Sequence, residues 1–151
     1  MMHPTKPQSD AGYLATATKI IFMGGLNRQV VDSKWKGFQR AFHNFDVDRV
    51  AEMTPADVER LAHDDSVIRY KAKLQAVVDN AQVMQQVAAE YGSFGRWVDE
   101  TFQEAGLSGT TKELAKRFKY ISPEGARHWL YATGYDVGDV SEKVMRKYGP
   151  G

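Results

Sequence analysis

Positive charge gathers between residues 112 and 127, where Lys112, Lys116, Arg117, Lys119 and Arg127 stand against only Glu113 and Glu124. In a chain of 151 residues with a net charge of +1 this is a local feature, not a global field. Clustered Lys and Arg can hold phosphate groups. The same residues could equally form a solvated helix face. Residues 46–65 show the opposite bias, with seven Asp and Glu against Arg49 and Arg60. Beyond the basic cluster lie Asp136 and Asp139, and Asp139 before Val140-Ser141-Glu142 reads as a helix N-cap. The absence of cysteine removes disulfides, iron–sulfur clusters, thiolate zinc sites and cysteine nucleophiles from consideration. His3, His43, His63 and His128 lack metal-site spacing, so neither a metal nor another cofactor is expected. No Gly-rich phosphate loop, paired His/Glu metal helix or Gly-x-Ser-x-Gly elbow occurs; Gly24-Gly25 reads as a helix stop.

The elements that would carry these residues are helices. Residues 1–10, with two prolines and mostly polar side chains, read as a flexible arm, and 11–151 as one helical domain. A first helix is predicted over 11–23, stopped by Gly24-Gly25, with Asn27 capping the next. Val30, Val31, Trp35, Phe38, Ala41 and Phe42 then recur at helical spacing to a turn at Phe45-Asp46. Thr54-Pro55 starts a short helix that ends near His63-Asp64-Asp65. Ser66 is read as opening the longest helix, which carries Val67, Tyr70, Leu74, Val77, Ala81, Met84, Val87 and Tyr91 and ends at Gly92. Ser93 caps a helix holding Phe94, Trp97, Val98 and Phe102; residues 105–110 read as a small-residue loop. Helices follow at about 111–119, 123–133 and 139–148. No strand is predicted, so the expected class is all-α. Trp35, Trp97 and Trp129 fall on apolar faces and read first as core. Ile20-Ile21-Phe22-Met23 is far too short to span a bilayer, and the N-terminal residues lack a signal-peptide pattern, so a cytoplasmic monomer is expected, with no membrane partner.

The basic cluster spans two helices joined through Tyr120-Ile121-Ser122-Pro123-Glu124-Gly125, an arrangement that resembles a helix-hairpin-helix. In that motif a tight hairpin and the following helix N-terminus aim backbone N–H groups at a DNA phosphate. The usual first hairpin glycine is absent, and Gly125 alone matches a glycine position. The resemblance then widens. Arg117-Phe118-Lys119-Tyr120-Ile121-Ser122-Pro123 with Ala132-Thr133-Gly134 is similar to the hairpin region of the 3-methyladenine DNA glycosylase I family. So are Ala41-Phe42-His43-Asn44-Phe45-Asp46, then Met53-Thr54 and Asp57-Val58-Glu59-Arg60-Leu61. So too are Ile68-Arg69-Tyr70-Lys71-Ala72-Lys73, Asn80-Ala81 and Tyr91-Gly92-Ser93-Phe94, in the family's order from about residue 20 to 139.

This resemblance implies a helical DNA-glycosylase-like bundle, duplex DNA as partner, and extrusion of a damaged purine of the 3-methyladenine type into a pocket. It places DNA contacts at Lys116, Lys119, Ser122, Gly125 and Arg127. It also exposes departures. The family's zinc-binding cysteines are missing, and Val137-Gly138-Asp139 stands where a late histidine ligand would fall. Ile20 takes the position of a pocket glutamate, and Arg28 that of an aromatic covering the base. A guanidinium can also stack on a base, but isoleucine offers no acceptor. The stretch ahead of Ile20 is shorter than in typical members, and Tyr13 is the candidate for a missing pocket tyrosine, or else a core residue. The wider superfamily carries an aspartate beyond the second hairpin helix, where it stabilises the sugar cation and can activate water. Asp139 matches that place, with Asp136 second. Two functions follow as expectations: base-excision glycosylase, or a non-catalytic helix-hairpin-helix relative that binds DNA.

Overall fold

The computed structural model describes residues 3–150. In chain order it has α1 (Asp10–Met23), α2 (Arg28–Ala41), a 3-10 turn (His43–Phe45), α3 (Val47–Ala51), α4 (Pro55–Leu61) and α5 (Lys71–Tyr91). Then come α6 (Phe94–Arg117), α7 (Pro123–Ala132) and α8 (Glu142–Tyr148). No strand occurs among the described residues, and the fold is all-α.

The starts follow from side-chain capping. Asn27, Thr54, Ser93 and Ser122 each accept a first-turn N–H, and Thr54 and Asp57 complete a reciprocal capping box ahead of α4. Helix α1 is buried along most of its length and packs against α5 and α7, so it is the axis of the core. One aromatic group lies on its C-terminal side, where Phe22, Phe38, Phe42 and Phe45 are almost fully buried and Trp35 stacks on Phe45 at 5.1 Å. A second lies toward its N-terminal side, where Phe94 meets Tyr13, Trp97, Phe118 and Trp129. Each such side chain contributes about 1.5–3 kcal/mol by leaving water.

Several sequence expectations change. The longest helix begins at Lys71, not Ser66: the Ser66 N–H bonds to Asp64 Oδ1, and Tyr70 is extended at the N-cap. The reason is tertiary. The Ser66 carbonyl crosses α2 at Gly37, where a Cβ would lie 1.8 Å from its oxygen, so this backbone is committed to that crossing. The small-residue loop at 105–110 is instead helical except at Gly106, whose φ of 70° and ψ of −172° break α6 in two. Buried Thr110 spans the break by donating to the Gly106 carbonyl at 2.7 Å. The Phe45-Asp46 turn is present, but His43, Asn44 and Phe45 all take positive φ, and Asp46 then caps the unanticipated α3. The final helix starts at Glu142 with Ser141 as its cap, so Asp139 is not a helix cap. Residues in the expected arm touch the folded body: Thr5 and Lys6 lie against Gly134, and Lys6 pairs with Asp99 at 3.1 Å.

Candidate nucleic-acid interface and base crevice

The hairpin is built from the inside. Phe118 and Ile121 are buried anchors, and between them Lys119 is fixed by Asn80 of α5. Asn80 Oδ1 accepts from the Lys119 N–H at 2.8 Å, and its Nδ2 donates to the Lys119 carbonyl at 3.2 Å. Asn80 is 1% exposed and uses both ends of its amide on one backbone residue. Tyr120 then turns the chain with φ of 59°, a left-handed conformation in a hairpin that lacks the usual first glycine. Ser122 accepts from the Gly125 N–H at 2.9 Å, and its carbonyl takes the Ala126 N–H at 2.7 Å. Pro123 has no N–H to give. The amides of Tyr120, Ser122 and Glu124 meet no acceptor among the described residues, whereas that of Ile121 turns back toward the Phe118 carbonyl. Unsatisfied backbone donors at the start of a ten-residue helix have the geometry to receive an anionic oxygen.

The basic residues separate into different kinds. Lys116 is exposed and forms no ion pair among the described residues. Lys119 Nζ lies 2.7 Å from Asp79, so part of its charge is neutralised within the protein. Arg127 donates to the carbonyls of Val137 and Asp139 at 2.7 and 3.2 Å, stapling the 137–139 loop to α7. Ser122 and Gly125 form the cap. The signal that could have revealed Asn80 is a polar amide within the apolar run Leu74, Val77, Ala81, Met84 of α5.

Ile20 and Arg28 come together in a crevice of about 320 Å³, which Thr16, Ala132, Tyr148 and Gly149 also line. Arg28 Nη1 donates to the Gly149 carbonyl at 2.5 Å and to the Arg146 carbonyl at 3.1 Å, and its Nε to Asp32 at 3.3 Å. Its guanidinium therefore holds the C-terminal segment over this crevice. His128 of α7 stacks on Tyr148 with ring centroids 4.2 Å apart, a second clasp on the same segment. Burial pushes the His128 pKa below its ordinary value; Lys147 and Arg127 act in the same sense, against Glu124.

Tyr13 lies apart from Ile20 and Arg28, within the core. Its hydroxyl and that of Tyr135 are 2.5 Å apart, Tyr135 donates to Asp99 at 2.6 Å, and the Tyr13 carbonyl accepts from Trp129 Nε1 at 3.0 Å. Burial, with the Asp99 carboxylate beside it, holds the Tyr135 phenol far above its usual range. Asp139 is exposed and borders a separate open depression of about 690 Å³ between α6, α7 and α8, with Leu107, Arg127, His128 and Val144. The Asp136 carboxylate accepts the Gly138 N–H at 2.9 Å.

The donor set does not fit a structural zinc ion. The chain has no cysteine, and no group of three His, Cys, Asp or Glu side chains able to hold a metal lies together among the described residues. No helix among the described residues is long and apolar enough to cross a membrane.

Residues 18–127 match the methyladenine glycosylase family, and the chain belongs to that family. The DNA-3-methyladenine glycosylase 1 of Escherichia coli is 40% identical over 63 residues, which is 42% of this chain and 34% of that protein. The DNA-3-methyladenine glycosylase of Haemophilus influenzae is 36% identical over 80 residues, 51% of this chain and 42% of that protein. The chain thus spans less than half the length of these curated relatives. The fold is similar to that of 3-methyladenine DNA glycosylase I from Staphylococcus aureus, with a TM-score of 0.79, 21% identity, and coverage of 89% of this chain and 82% of that one.

Proposed function

We propose that this protein is a DNA glycosylase of base-excision repair that removes alkylated purines of the 3-methyladenine type from duplex DNA. The family match over residues 18–127, which takes in the hairpin turn and both Ile20 and Arg28, is the observation that carries this reading. The hairpin amides would receive a backbone phosphate, and Lys116 and Lys119 would add sequence-independent attraction. That mode of binding suits a protein that must survey any sequence.

The crevice against α1 is the candidate base pocket. Ile20 presents a methyl-bearing wall there and no hydrogen-bond acceptor, so recognition rests on shape and on a cationic purine's weakened glycosidic bond. Arg28 would stack on the base once it releases the two carbonyls it now holds. In the reaction the N-glycosidic bond breaks and its electron pair leaves with the base. Asp139 borders the α6–α7–α8 depression and not this crevice, so it would stabilise the sugar cation left behind where the strand passes from one to the other; water adds at that carbon with loss of a proton.

A second reading, a DNA-binding relative without glycosylase chemistry, is favoured by one specific observation: the segment ending at Gly149 lies over the crevice and Arg28 is bonded to it. Single-turnover release of bases from alkylated duplex DNA tests both. Release above the uncatalysed background supports the glycosylase; binding of the same duplex without release assigns the second reading.

A further inference from the structure

Tyr70 and Tyr120 are each 50% exposed, the two most exposed large hydrophobic side chains among the described residues. They come from elements far apart in sequence, the segment leading into α5 and the apex of the hairpin. Their ring centroids are 6.4 Å apart and their planes 79° to each other. The pair thus forms a right-angled corner, one ring as floor and the other as wall. Lys73 Nζ stands 5.1 Å from the Tyr70 ring centroid, and Lys119 follows Phe118 into the same hairpin.

Among the described residues, Tyr70 is the one aromatic partner of the half-exposed Tyr120 ring. Tyr120 occupies the left-handed region, where a residue with a Cβ is strained, and glycine would be less costly. Its ring recovers little of that cost through burial. Strain held at an exposed residue beside unsatisfied backbone donors marks a site that acts on a ligand. A flat, π-bearing ligand attached to a phosphate fits the corner and the amides together.

We propose that Tyr70 and Tyr120 form a stacking corner for an unpaired nucleobase on the DNA strand whose phosphate the hairpin amides hold. The proposal rests on the reading of the hairpin as a DNA-binding element. It concerns a different place from the Ile20–Arg28 crevice, whose lining includes neither tyrosine. One ring stacks on the base face while the other meets its edge, and Lys73 adds positive charge beside the stack. Such stacking tolerates any base, because every base has a π-face.

The test compares the full chain on two labelled duplexes by fluorescence anisotropy, one fully paired and one with a single unpaired adenine. Wild-type protein is expected to prefer the second. Tyr70→Ala and Tyr120→Ala should each lose about tenfold in affinity for it and little for the paired duplex, while the Phe variants keep the preference. Tyr120→Gly relieves the backbone strain, so it should melt no lower than wild type and still lose the preference. That variant separates misfolding from loss of stacking. Wild-type binding to both duplexes with no effect of these substitutions overturns the corner alone. Failure of wild type to bind either duplex overturns the corner and the DNA reading together.

Discussion

Arg28 Nη1 donates to the Gly149 carbonyl at 2.5 Å, tying the first turn of α2 to a residue 121 positions later. Because Ile20 lies in the crevice beneath, this bond couples the C-terminal segment to the candidate base pocket. Arg28→Ala should free that segment. Amide hydrogen exchange over residues 144–149 is expected to accelerate, with a drop of about 1–3 kcal/mol in stability from two charge-assisted bonds. Unchanged exchange would mean that the His128–Tyr148 stack alone holds the segment.

The same clasp should respond to pH. The folded-state pKa of His128 lies below its ordinary value of 6.5, chiefly through burial. A lowered pKa on a base means that the unfolded chain binds the proton more readily. The stabilisation is therefore complete above about pH 6.5 and is lost as pH falls through the folded pKa. Thermal melting between pH 7.5 and 5 should show this loss, and His128→Phe, which keeps the stack on Tyr148, should remove it. An equal pH slope in that variant would assign the dependence elsewhere.

Asn80→Ala should damage the hairpin from a distance. It leaves the Lys119 N–H and carbonyl without partners in a closed site, at about 2–4 kcal/mol for the two groups. Asn80→Asp keeps the acceptor but loses the donor, so it should fall between. Urea denaturation gives the order, and a destabilisation no larger than that of an exposed α5 substitution would show that the tether is replaceable.

Lys116→Glu tests phosphate attraction without disturbing an internal ion pair, unlike Lys119, which is bonded to Asp79. Duplex affinity should fall by a similar factor for any sequence. The slope of log K against log salt should become shallower by about one, the share of a single phosphate neutralised by one lysine. An unaltered salt slope would place the DNA elsewhere.

Asp139→Asn should leave stability almost unchanged, since the side chain is exposed and Ser141, not Asp139, caps α8. If Asp139 supports the sugar cation, single-turnover base release should slow by on the order of 100-fold. Full activity would pass the role to Asp136, whose carboxylate already accepts the Gly138 N–H.

The helical class, most boundaries and the family resemblance were legible in the residues because their causes are local. Asn27, Thr54-Pro55, Ser93 and Ser122-Pro123 announce helix starts by satisfying N–H groups within three residues of themselves. Apolar spacing at three and four residues showed which faces would be buried. Tertiary structure decided what depends on a second segment. Ser66 could not open α5, because its backbone crosses α2 at Gly37, and nothing near Ser66 in sequence reports that crossing. Asp139 looked like a cap until the chain placed Ser141 there, a choice made as Arg127 bonds the Val137 and Asp139 carbonyls. The Asn80 tether, the Arg28–Gly149 clasp and the Tyr70–Tyr120 corner each join residues about 40 or more positions apart. Hydrogen bonds and ring interactions act over a few ångströms in space, so sequence could supply the groups for these three relationships but only packing could bring them together.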